Sequence, residues 1–89
     1  MKNLQAVIDF HMEEAQTIWA NEKDMQIMKF EDAAATFAIK KDIENGLIDR
    51  AVELFHKLDT SPAEDIAVAL VKDMGHKWTE QNFGIEVRI

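Results

Sequence analysis

Three groups of side chains in this 89-residue sequence have the types and spacings from which chemistry is built. The first is Glu53-Leu54-Phe55-His56, a Glu-x-x-His that puts two metal ligands on one face of a helix. Helical bundles that hold a metal pair use two such motifs and two further glutamates on facing helices. Only one copy is present here, and Glu53 falls off the apolar stripe of its segment, toward solvent. The second is His11 with Glu14, three residues on, a spacing suited to a local hydrogen bond or a shared ion. His11 lies on an apolar stripe, which predicts a boundary histidine held by a polar partner. With a reference pKa near 6.5, a partly buried histidine there is suited to sensing pH.

The third group is the acid pairs Glu13-Glu14, Glu31-Asp32 and Glu64-Asp65. A magnesium site shared by two helices needs acids one turn apart. Adjacent residues point about 100° apart on a helix and do not converge on one ion. The hydroxyl groups are Thr17, Thr36, Thr60, Ser61 and Thr79, of which Thr60 and Ser61 read as helix caps. Gly46, Gly75 and Gly84 are isolated, so no glycine-rich phosphate loop exists. The sequence therefore predicts no catalytic residue, no metal ligand and no cofactor, and points away from an enzyme.

Composition narrows the class further. Net charge is −7, from 17 acids against 10 bases, and cysteine is absent. Without cysteine there is neither a disulfide framework nor a thiolate zinc site. The acidic excess excludes direct recognition of a phosphate backbone, which requires clustered Lys and Arg. It is densest in residues 1–32, with seven acids and three bases. No run approaches the roughly 18 apolar residues that would cross a bilayer. The first residues lack the apolar stretch of a signal peptide, which predicts the cytoplasm. A chain of this length forms one domain and buries about 64% of its unfolded surface, so association would add to its stability.

The positioning elements are helices. Apolar periodicity predicts the first over residues 3–20, with Leu4, Val7, Ile8, His11, Ala15, Ile18 and Trp19 on one stripe. A second is predicted over 25–45, capped by Asp24, with Ile27, Phe30, Ala34, Phe37 and Ala38 on one apolar stripe, Met28, Ala35 and Ile39 on another, and a kink or break near Glu31-Asp32. It is the most apolar and is expected at the centre of the fold. Ala33-Ala34-Ala35 would let another helix approach closely. Gly46 ends it, and a third helix follows over 47–58. Thr60-Ser61-Pro62 opens a fourth over 62–75, ended by Gly75. His76, Trp78 and Phe83 fall in a less regular segment. The expected fold is all-α, a small bundle or orthogonal array of about four helices.

The tail breaks the pattern. Phe83-Gly84-Ile85-Glu86-Val87-Arg88-Ile89 alternates with the period of a strand and has no strand to join. A lone strand leaves backbone donors and acceptors without partners. It must pair with a copy, pair with a target, lie across its own helices, or fray.

The function expected from these features is an acidic interaction and regulatory module. It would self-associate, most simply as a two-fold dimer, and bind a partner protein. Contact would come from the broad face of the first two helices or from Trp78, Phe83, Ile85, Val87 and Ile89. A second expectation is an inhibitor of a nucleic-acid-binding enzyme. Asp9, Glu13, Glu14, Glu22 and Asp24 would stand in for phosphates against a basic partner surface. A third is a small-ligand or nucleotide site ringed by His76, Lys77 and Trp78.

Overall fold

The computed structural model describes all residues, Met1–Ile89. It is all-helical: α1 (Lys2–Gln16), α2 (Lys23–Glu44), α3 (Ile48–His56), α4 (Thr60–Met74) and α5 (His76–Phe83). There are thus five helices rather than four, and Gly84–Ile89 forms no strand. The molecule measures 41 × 25 × 21 Å.

Helix α1 pairs with α2 as an antiparallel hairpin and with α4 on its other side; α3 follows α2, and α5 rests on α4 and α3. Leu4, Ile8, His11 and Ala15 are buried at alternating spacings of four, three and four, one stripe of a 3.6-residue helix. The helix stops at Gln16, short of the expected Ala20. Thr17 closes it by donating its amide to the carbonyls of Glu13 and Glu14, so Ile18 and Trp19 sit in the connecting turn. The start of α1 is held from a distance. The Asn3 and Leu4 amides donate to the two carboxylate oxygens of Asp73, at 2.9 and 2.8 Å, and the Asn3 side-chain amide adds a third bond at 2.9 Å. A carboxylate at a helix N-terminus satisfies free donors and opposes the positive end of the dipole.

Helix α4, rather than α2, is the most deeply buried. Pro62, Ile66, Ala67, Ala69, Leu70 and Val71 are all buried along it. Residues Leu4, Ile39, Ile43, Ala51, Phe55, Ile66, Leu70 and Phe83 share one core with its alanines. Helix α2 runs unbroken through Glu31-Asp32, and Glu22 occupies its N-cap while Asp24 lies in the first turn. At the start of α4 the N-cap is likewise Asp59, with Thr60 and Ser61 already inside the helix.

Gly75, at φ 92°, lets the chain leave α4 and begin α5 at once, in a backbone region closed to other L-residues. The segment expected to be irregular is therefore a helix of eight residues. Its Thr79 and Phe83, one turn apart, are buried. Phe83 meets Phe55 edge-on, centroids 5.4 Å apart, and Trp78 at 5.8 Å. Gly84 closes α5 in the left-handed region, at φ 66°. Beyond it the tail lies on its own helices, one of the four fates open to it. Ile85 and Val87 are half-buried against the core, Glu86 and Arg88 face out, and Ile89 is 62% exposed.

Candidate association surface

Helix α2 carries more apolar surface than its neighbours cover, and the face it turns inward sets the small Ala33 and Thr36 beside two isoleucines. Ala33, Thr36, Ile39 and Ile43 are buried. Ala33 and Thr36 allow α1 to close on α2, and the Thr36 hydroxyl is satisfied by donating to the Asp32 carbonyl at 2.7 Å. The larger stripe points outward. Phe37 is 49% exposed, Ile27 is 44% exposed, Ala34 is exposed and Phe30 is half-buried. Of the other expected stripe, Ile39 is buried, Ala35 is half-buried and Met28 is 47% exposed. The physical cause is volume: α1 already occupies the side of α2 where small residues permit close approach.

This outer stripe is regular. Ile27, Phe30, Ala34 and Phe37 follow spacings of three, four and three, the seam by which helices pack on one another, over about 15 Å of helix axis. Lys41 continues it one turn further, its ammonium 5.9 Å from the centroid of the Phe37 ring. Met12 widens it from α1. Lys40 donates to Gln5 at 3.0 Å and Gln26 donates to the Ala15 carbonyl at 2.9 Å, which sets the antiparallel register. Met12, two turns on from Gln5, then falls beside Phe30 and stays exposed. Exposed apolar side chains gathered in this way on a small domain make a candidate contact surface.

A polar cluster lies inside the same hairpin. His11 is only 2% exposed, and neither ring nitrogen has a hydrogen-bond partner within the chain. Its expected partner Glu14 stands 3.9 Å from Nδ1, too far for a hydrogen bond, and Glu14 pairs instead with Lys29 at 3.5 Å. Asp32 lies close enough to feel His11. Burial pushes its carboxyl above the ordinary carboxylate range; His11 and Lys29 oppose the shift and Asp59 and Glu31 add to it. At the other end of α1, burial also pushes the Asp73 carboxyl upward. The hydrogen bonds from Asn3 and Leu4 and the nearby N-terminal ammonium outweigh it and hold the group below the ordinary range.

The other predicted contact residues are scattered. Glu13 and Glu14 end α1 while Glu22 and Asp24 begin α2, so these four share one end of the hairpin; Asp9 lies further along α1, accepting from Gln5. Glu14 is half-buried and engaged, while Asp9, Glu13, Glu22 and Asp24 are exposed. Trp78 turns onto Phe83, whereas His76 and Lys77 are exposed, so the three do not form one ring of contacts. Phe83 is 1% exposed and belongs to the core rather than to a contact surface. Glu53 and His56 both face solvent, with Glu53 paired to Lys57 at 3.8 Å. No helix is long and apolar enough to cross a membrane. Compared with protein-family models, curated proteins and solved structures, the chain matches none.

The outward role of Ile27 and Phe37 had a signal in the sequence. Where a helix carries two apolar stripes, the one lined by Ala and Thr admits the nearest neighbour, and the bulky one is left for another.

Proposed function

We propose that this chain is a protein-association module that works as a two-fold pair, joined along the outer face of α2. The observation that carries this is the outer stripe of α2, with Ile27, Ala34 and Phe37 exposed and Phe30 half-buried. A self-complementary stripe closes most simply about a two-fold axis. An antiparallel pairing of α2 with its copy, centred on Ala34, sets the small residue against itself where the backbones come nearest. Phe30 of each copy then packs beside Phe37 of the other. Lys41 reaches across the other copy's Ile27 toward its Asp24. Parallel pairing would instead stack Glu31 on Glu31 and Lys41 on Lys41, so charge favours the antiparallel form. The pair presents two copies of every remaining surface, among them the acidic hairpin end, to a partner protein with a basic face.

A stripe this short is well below the roughly 800 Å² per partner of a standard interface, so pairing at micromolar concentrations is expected. Each copy carries a net charge of −7. Added salt should therefore strengthen the pair by screening repulsion, the opposite of its effect on an acidic surface gripping a basic groove. The test is analytical ultracentrifugation of the full chain and of Phe37→Glu, at low and high salt. A concentration-dependent dimer, tightened by salt and abolished by the substitution with helical content retained, supports the proposal. A wild-type monomer throughout the micromolar range, or a dimer indifferent to Phe37→Glu, rules it out.

A further inference from the structure

The C-terminal tail is attached to the molecule in an unusual way. No backbone amide of Ile85 to Ile89 is hydrogen-bonded, and the only polar contact in the segment is local, Arg88 to Glu86 at 3.5 Å. What holds it is two side chains. Ile85 and Val87 enter a groove between α3 and α4, walled by Phe55, Leu58, Ala63 and Ala67. The groove is larger than its occupants, and about 320 Å³ stays open beside them. Ile89, the next apolar residue of the alternation, does not reach it and is 62% exposed. Gly84, free of Cβ strain at φ 66°, is a ready pivot between the anchored Phe83 and this loosely held run.

We infer that the groove between α3 and α4 is a docking site for an extended segment of a partner protein, and that the chain's own tail is its built-in competitor. The tail shows the chemistry of the ligand: branched apolar side chains two positions apart, with charged residues between them pointing away. Because the groove is underfilled, a segment with bulkier side chains at those two positions makes more contact than Ile85 and Val87 do. Glu64 on the rim and the acidic charge of the chain favour a segment that carries a basic residue beside its apolar pair. Tethering gives the tail an effective concentration in the millimolar range, so it excludes weak segments and yields to those that bind more tightly. This site is separate from the α2 face and does not depend on pairing there.

The experiment uses a synthetic peptide of the tail's own sequence, Gly-Ile-Glu-Val-Arg-Ile, as the probe. It is titrated into the isotope-labelled full chain, into a chain ending at Gly84, and into the full chain carrying Ile85→Ser with Val87→Ser. Amide shifts are followed by NMR. In the two variants the peptide should shift Phe55, Ala63 and Ala67 with a dissociation constant of about a millimolar, and bind the full chain about three- to tenfold more weakly. A peptide with serine at both apolar positions should shift nothing. The inference fails if either variant, still helical by circular dichroism, shows no shifts at those residues, or if all three proteins bind equally. It fails also if both variants lose their helical signal, since the tail would then be a part of the fold and not an exchangeable occupant.

Discussion

The α1–α2 hairpin and the α4–α5 side of the molecule are built of the same kind of residue and are left in opposite states. On the α4–α5 side the demands are met from within. Phe83 is enclosed by Phe55 and Trp78, Asp73 has three donors, and two of the tail's apolar residues lie against the core. On the hairpin they are not. Phe10, Met12, Ile18, Ile27, Met28 and Phe37, most of the large exposed apolar side chains, lie there. So do the buried side-chain nitrogens without a hydrogen bond, both of His11 and that of the Trp19 indole; the buried Asp42 oxygen has Arg50 at 3.7 Å. Apolar groups left in water cost free energy, and the proposed pairing would cover those of the outer α2 stripe; the unpaired polar atoms lie too deep for a second molecule to reach.

Substitutions can break or sharpen this contrast. The largest effect is expected at Phe83, where replacement by alanine empties an enclosed aromatic site and should cost about 3–5 kcal/mol in thermal or denaturant unfolding. Phe37→Ala, the same chemistry on the other side, should change the stability of the dilute monomer by about 0.5 kcal/mol or less, as exposed sites do. If the two cost the same, the hairpin face is packed and the contrast is lost. Next comes association: Phe37→Glu puts a charge in the apolar stripe and should weaken pairing by a hundredfold or more, about 3 kcal/mol, measured by sedimentation.

A smaller effect, about 1–2 kcal/mol, is expected for Asp73→Ala, which removes the acceptor for the first amides of α1. Its pH dependence has a definite sign. The folded-state carboxyl titrates below its ordinary value, so its stabilisation is present above the ordinary carboxylate pKa and is lost as pH falls through the lowered one. Wild type and Asp73→Ala should therefore converge in stability in acid. Asp32 on the hairpin should behave in reverse. Its carboxyl titrates above the ordinary value, so its contribution is favourable below the ordinary pKa and is lost as pH rises through the raised one. Asp32→Asn should thus leave stability near pH 7 unchanged or raise it by less than about 1 kcal/mol, the smallest effect of the series, read from melting curves. A clear loss would mean that the carboxylate is satisfied and that the hairpin interior is less strained than the contrast holds.

Much of this architecture is legible along the chain. The stops at Gly46 and Gly75 were visible because a left-handed backbone selects glycine, and both have positive φ. The inward faces of α1, α3 and α4 follow from their periodicity, with Leu4, Ile8, Ala51, Phe55, Ile66 and Leu70 all buried. Helix α5 was obscured because only Thr79 and Phe83 are buried on its two turns, too few to set a period. Its bracketing glycines, Gly75 and Gly84, were the available clue. Of the candidate contact residues, Ile85 and Val87 read in the sequence as an apolar pair of a strand, since alternation reports which side chains face one way and not what they face. The unpaired state of His11 is not legible in the sequence, because Glu14 at three residues' distance is a partner by spacing and falls short by geometry.

By itself the sequence determined the helical class, the acidic charge, the glycine stops and the surplus of apolar surface, all properties of single residues or of neighbours one turn apart. Tertiary structure decided which face of α2 is buried, that α4 is the most deeply buried helix, that Asp73 caps a helix some seventy residues away, and that the tail lies in a groove. Each of these depends on which neighbour fills a given volume first. Ala33 and Thr36 admit α1, and that one close approach turns Phe37 and Ile27 out to the solvent.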